Sequence, residues 1–179
     1  GWSPSKRNNP YANSGIVVSI EAADYQQQHA LSGLHFQETV EQKAFTAGGG
    51  KFVAPAMRMT DFVQNKLSAT LPACSYLPGL QSALLQEVLP AHVHESLRMA
   101  FLQFGKKMPG YYTREAVVVA TESRTSSPVR IPREKEKLHH VQISNLYPCA
   151  EGAGYAGGIV SAAMDGMNVA QQISLAQSR

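Results

Sequence analysis

Cysteine is scarce in these 179 residues: Cys74 and Cys149 are the only two, far apart and in unrelated contexts. Their scarcity excludes a disulfide framework and a cysteine metal knuckle, and makes a reducing cytoplasm the expected location. No apolar run approaches the roughly 18 residues that a bilayer span needs, and no signal-peptide pattern opens the chain. A soluble protein with no membrane partner is therefore expected. Charge of one sign is lacking as well. The formal net charge is only +3, too small to argue for a nucleic-acid partner. Its excess gathers at Arg124, Arg130, Arg133, Lys135 and Lys137 against Glu134 and Glu136, most simply a solvated loop. Metal ligands at workable spacing are missing too. His92 and His94 do not share a helix face, and His139 and His140 lie in a charged loop without a third ligand, so no metal is expected. Internal repeats and low-complexity tracts are absent.

What remains is enough chain for one domain or two small ones, with a core of ordinary size. The first residue is Gly1, and the opening stretch to Ser14 has loop composition, which suits a piece of a longer polypeptide. Gly15 to Glu21 is β-branched and predicts a buried strand, and the polar stretch Ala22 to Leu31 can start a helix. Leu34 to Ala47 has helical apolar spacing and stops at Gly48-Gly49-Gly50. A short strand is expected at Phe52 to Ala54, then a short helix Asp61 to Lys66 capped by Thr60. After a proline-marked loop, Leu80 to Leu89 and Ala91 to Lys107 predict two helices parted at Pro90. In the second, Val93, Leu97, Ala100, Phe101 and Phe104 form the apolar stripe, with His94 assigned mainly to the other side.

The tail changes rhythm. Ala116 to Thr121 is a continuous apolar strand, Pro128 to Pro132 can carry a second, and Leu146 to Ala150 a third. A glycine-rich turn, Glu151-Gly152-Ala153-Gly154-Tyr155-Ala156-Gly157-Gly158, then leads into a last helix from about Gly158 to about Gln177. Ile159, Ala162, Ala163, Gly166, Val169, Ala170 and Ile173 give that helix a small-residue face suited to a sheet. Glycines let the chain bend tightly and let a ligand approach the backbone, while the first helical turn offers unpaired N–H groups with partial positive charge.

Gly152 to Gly157 satisfies Gly-x-Gly-x-x-Gly, but a self-sufficient dinucleotide site needs a second strand and an acidic residue about 20 positions later. Here the helix takes up the remaining sequence and the acidic residue, Glu151, comes first. That order resembles the closing motif of FAD-dependent oxidoreductases of the glutathione-reductase-like superfamily. The segments 145–159, 122–131 and 7–14 together resemble the C-terminal part of a bacterial family of uncharacterised FAD-dependent dehydrogenases. Ala150 departs from the pattern, in which glycine is expected.

The resemblance implies an α/β fold, or α+β for the isolated fragment. Residues 1–14 would be a connecting loop, 15–112 a largely helical cap or substrate-side domain, and 113–179 the strand, glycine turn and helix that return to the FAD-binding domain. It implies that Glu151 holds ribityl or ribose hydroxyls and that Gly152, Gly157, Gly158 and Ile159 face the cofactor. FAD would belong to the full-length protein and bind this fragment weakly or not at all. Partners would be the N-terminal FAD-binding region of the same polypeptide and a small-molecule substrate; separately, an orphan strand edge at the turn is suited to pairing with a further copy in a homo-oligomer.

Arg124, Thr125, Ser126 and Arg130 flank or form a hydroxyl-rich turn. The two arginines either clamp a substrate carboxylate or a flavin phosphate, or are ordinary surface residues. Gly157 and Gly158 have close helix–sheet packing as a second reading. Cys149 lacks a nearby second cysteine and is expected to be structural. The rival for the chain as a whole is a non-enzymatic module that binds a phosphate or an acidic partner through Gly152 to Ile159 and the basic stretch 124–137.

Overall fold

The computed structural model describes residues 5–25 and 29–177. Gln26 to Gln28, inside the glutamine-rich stretch expected to start a helix, lie outside them. The chain divides into two compact units, Gly1–Glu21 with Glu38–Thr121, and Ala22–Gln37 with Glu122–Arg179. Helices and a three-stranded mixed sheet make it an α/β or α+β fold.

In the first unit β1 (Ala54–Arg58) is the central strand, parallel to β2 (Leu80–Ser82) and antiparallel to β3 (Val117–Val119). The strand runs through Pro55, where a stop was expected. Proline lacks only the N–H; its carbonyl still accepts from the Ala120 N–H at 3.1 Å. Pairing of Ala54 with Leu80 and of Ala56 with Ser82 also corrects the helix expected over 80–89. Only α3 (Leu85–Val88) is helical there, because the sheet edge captures the first residues.

The core lies where α2 (Met59–Val63) and α3 pack on this sheet and α4 (Ala91–Lys107) packs on those two helices. Phe62 and Leu85 are fully buried, and the Phe62 ring meets Phe101 edge-on at 5.6 Å. Burying a phenylalanine contributes roughly 1.5–3 kcal/mol, which makes Phe62 a principal anchor. α4 has the expected bounds, and Leu97 and Phe101 are buried as the stripe requires. His94 corrects the expectation. It is buried against the Phe62 ring at 4.6 Å, and its Nε2 has no hydrogen-bond partner.

α2 begins at Met59, and no side-chain cap from Thr60 forms. Ser68 instead ties the end of β1 to the first turn of α2. Its hydroxyl donates to Asp61 at 2.7 Å and accepts from the Arg58 N–H at 2.8 Å. Gly15 to Glu21 forms no strand; Ile16 and Val18 pack on the core while Val17 is exposed. Alternation without a neighbouring strand leaves extended chain.

α1 (Ser32–Ala47) matches its expected stop, with Gly49 and Gly50 at positive φ of 87° and 74°. Its first residues belong to the second unit, where Tyr25 and Phe36 rings lie 5.7 Å apart. That unit is mostly irregular chain and ends in α5 (Ile159–Gln177). The strands expected at 128–132 and 146–150 do not form; an isolated bridge joins Arg133 to His140 instead.

Candidate functional site

The missing strand before the glycine turn is explained by side chains distant in sequence. The Pro148 carbonyl accepts from Arg133 Nη1 at 2.8 Å, and the Ala150 N–H donates to Asp165 Oδ2 at 2.8 Å. Side chains thus satisfy the backbone groups that a sheet ladder would have used. Ala150 itself sits at φ 57°, ψ −154°, a region open mainly to glycine. Alanine thus stands at a position where the backbone favours glycine.

A 3-10 turn, Glu151–Ala153, follows. It closes through Gly154 N–H to the Glu151 carbonyl at 2.9 Å and Tyr155 N–H to the Ala150 carbonyl at 3.0 Å. Gly154 is structural. Its φ is 81°, and a Cβ there would lie 2.7 Å from the Val129 carbonyl oxygen. The segment expected as a strand from Pro128 to Pro132 is tied to this turn: Ile131 N–H donates to the Ala153 carbonyl at 3.2 Å, and the Tyr155 hydroxyl to the Ile131 carbonyl at 2.9 Å.

Arg133 and Asp165 hold the turn from behind. Nη2 donates to Oδ1 at 2.6 Å and Nη1 to Oδ2 at 2.9 Å, with both side chains largely shielded from solvent. The Arg133 hydrogen bonds, aided by the Ala150 N–H, hold the Asp165 carboxyl below its usual range against the cost of burial. Arg133 also lies over the Tyr155 ring, 3.7 Å from its centroid, and Arg130 over the same ring at 4.4 Å.

The other glycines behave differently. A Cβ at Gly152 or Gly157 would meet nothing within 4 Å, neither residue has a positive φ, and both are exposed. The fold does not require glycine at either place. Packing against a sheet, the second reading for Gly157 and Gly158, finds no support at Gly157; at Gly158 a Cβ would meet only Ser161 Oγ at 3.3 Å. Gly158 N–H donates to that hydroxyl at 3.1 Å. The N–H groups next in line open α5 at an exposed surface, where helix geometry gives them no intrahelical acceptor. Glu151, also exposed, stands at the near end of the same turn. Gly152 and Gly157 thus leave the backbone between Glu151 and the start of α5 open to close approach.

Of the other candidates, Arg130 is brought to the turn through Tyr155, whereas Arg124, Thr125 and Ser126 are exposed on the segment leading into it. Ser127 was not singled out, yet its hydroxyl lies 3.3 Å from the Gly152 carbonyl. Asp165 and Arg133 were missed as a pair. The available signal was Asp165 falling on the same helix face as Ala162, Gly166 and Val169, of which Val169 is buried. Cys149 is half-buried and free. Among the described residues, no helix is long and apolar enough to cross a membrane.

Residues 1–125 match the family described as FAD-dependent protein, C-terminal domain-like. An uncharacterized protein of Clostridium beijerinckii is 39% identical over 175 residues, covering 97% of this chain and 33% of the relative. The chain thus spans about a third of that relative's length. It belongs to the family of FAD-dependent protein C-terminal domains.

Proposed function

We propose that a C-terminal domain of this family acts here as the flavin-facing part of a cytoplasmic oxidoreductase, in which FAD carries hydride or electrons to or from a small substrate. The observation that carries this reading is the pair of glycines, Gly152 and Gly157, that the fold leaves open beside Glu151 and the start of α5. In the proposal Glu151 accepts hydrogen bonds from ribityl or ribose hydroxyls. Gly152, Gly157 and Gly158 keep side chains out of the way, and the first turn of α5, from Ile159, directs N–H groups at the ligand. Bound FAD would supply a ring that accepts and gives hydride. The N–H groups at the start of α5 would stabilise negative charge on that ring without reorganising.

The N-terminal region of the same polypeptide supplies the remaining cofactor contacts. Ile159, 93% exposed, and the exposed Val160, Met164, Met167 and Leu175 on α5 leave apolar surface for it to cover. The test is purification of the full-length polypeptide. A yellow protein whose flavin absorbance disappears on Glu151→Ala or Gly157→Val supports the reading. A colourless protein that takes up no added FAD overturns it and favours a phosphate-binding or acidic-partner module.

A further inference from the structure

Beside the glycine turn lies a cleft of about 520 Å³ lined by Arg130, Pro132, Arg133, Glu134, Lys135, Leu138 and Tyr155. Its two arginines stack on the same tyrosine but differ in one respect. Arg133 spends both terminal nitrogens on Asp165 and the Pro148 carbonyl. Arg130 is held at 4.4 Å from the Tyr155 centroid, yet among the described residues no carboxylate or carbonyl accepts from its guanidinium. Its donors are therefore positioned and unspent. Glu134, which also lines the cleft, forms no ion pair with it.

An unneutralised guanidinium, already stacked, loses little freedom when it forks onto a carboxylate. Lys135 adds a second positive charge, and Pro132, Leu138 and the Tyr155 ring supply apolar wall. The cleft is open to solvent, with Arg130, Pro132, Glu134 and Lys135 exposed along it, so a ligand reaches the guanidinium directly. We infer that this cleft binds a small organic carboxylate with an apolar body, its carboxylate on Arg130. A bare phosphate would leave the apolar wall unused. The inference deepens the oxidoreductase reading by naming a substrate class, but its test is read without flavin chemistry.

The test is calorimetric titration of the full-length polypeptide with trans-cinnamate, trans-cinnamamide and inorganic phosphate. Cinnamate is expected to bind, the neutral amide at least tenfold more weakly, and phosphate more weakly than cinnamate. Arg130→Gln is expected to weaken cinnamate at least tenfold, and Lys135→Gln less, with thermal stability and flavin content unchanged in both. Arg130→Lys, which keeps the charge but not the fork, is expected to restore only part of the affinity. Equal affinity for acid and amide, or cinnamate binding indifferent to Arg130→Gln, overturns the inference. Phosphate binding tighter than cinnamate overturns the carboxylate assignment. Flavin content fails independently, so a failure here is distinguishable from failure of the oxidoreductase reading.

Discussion

Arg133 forks onto Asp165 with contacts of 2.6 and 2.9 Å, and the same carboxylate accepts the Ala150 N–H at 2.8 Å. One ion pair thereby fixes the entry to the glycine turn onto the inner face of α5. Asp165→Asn is expected to destabilise by about 2 kcal/mol, between the values typical of exposed and of buried pairs. Its depressed pKa means that the native state holds on to charge longer than the unfolded chain. The contribution is complete well above the ordinary aspartate value of 3.8 and is lost as pH falls through the lower native value. Chemical denaturation of wild type and variant from pH 7 to pH 2 should show the two curves converging in acid.

Ala150 and Gly154 bracket the 3-10 turn with left-handed φ values of 57° and 81°. Ala150→Gly relieves a conformation costing about 1–3 kcal/mol and sacrifices about 0.5–1 in chain entropy, so a net gain of about 1 kcal/mol is expected. Gly154→Ala is expected to lose about 2 kcal/mol, since the methyl also meets the Val129 carbonyl. Thermal melts of both variants check the opposite signs.

Burial holds the His94 imidazole below its ordinary pKa of 6.5; Glu95 opposes that shift and Arg98 adds to it. The unfolded chain therefore binds a proton that the native state refuses. Stability is indifferent to this group above pH 6.5 and declines below it, by at most about 1.4 kcal/mol per pH unit, until the native group titrates. His94→Leu also removes an unpartnered buried nitrogen. It is expected to equal or exceed wild-type stability at pH 7.5 and to flatten the slope between pH 6.5 and 5.

The long helices were legible in the residues. Ala91–Lys107 and Ile159–Gln177 follow from apolar spacing, and α1 from its triple-glycine stop. What escaped depends on partners distant in sequence. Leu80–Ser82 is helical by pattern but becomes a strand because β1 lies beside it. Leu146 to Ala150 looks like a strand until Arg133 and Asp165, 32 residues apart, take its polar groups. His94 falls outside an ideal apolar stripe, yet Phe62 packs over it.

The glycine turn was legible as a tight turn leading into the last helix, but the residues did not distinguish its glycines. Gly154 serves the backbone, whereas Gly152 and Gly157 serve nothing within the fold. Asp165 gave little warning, because a lone acid on a helix most often faces water.

The difference between Gly154 and Gly157 provides the sharpest experiment. Gly157→Val in the full-length polypeptide should leave the melting temperature of the flavin-stripped protein within about 2 °C of wild type, since the side chain meets open space. Flavin retained per polypeptide, read from the visible absorbance after release, should fall at least tenfold. If the valine variant keeps its full complement of flavin, the start of α5 does not face the cofactor and the central claim is wrong.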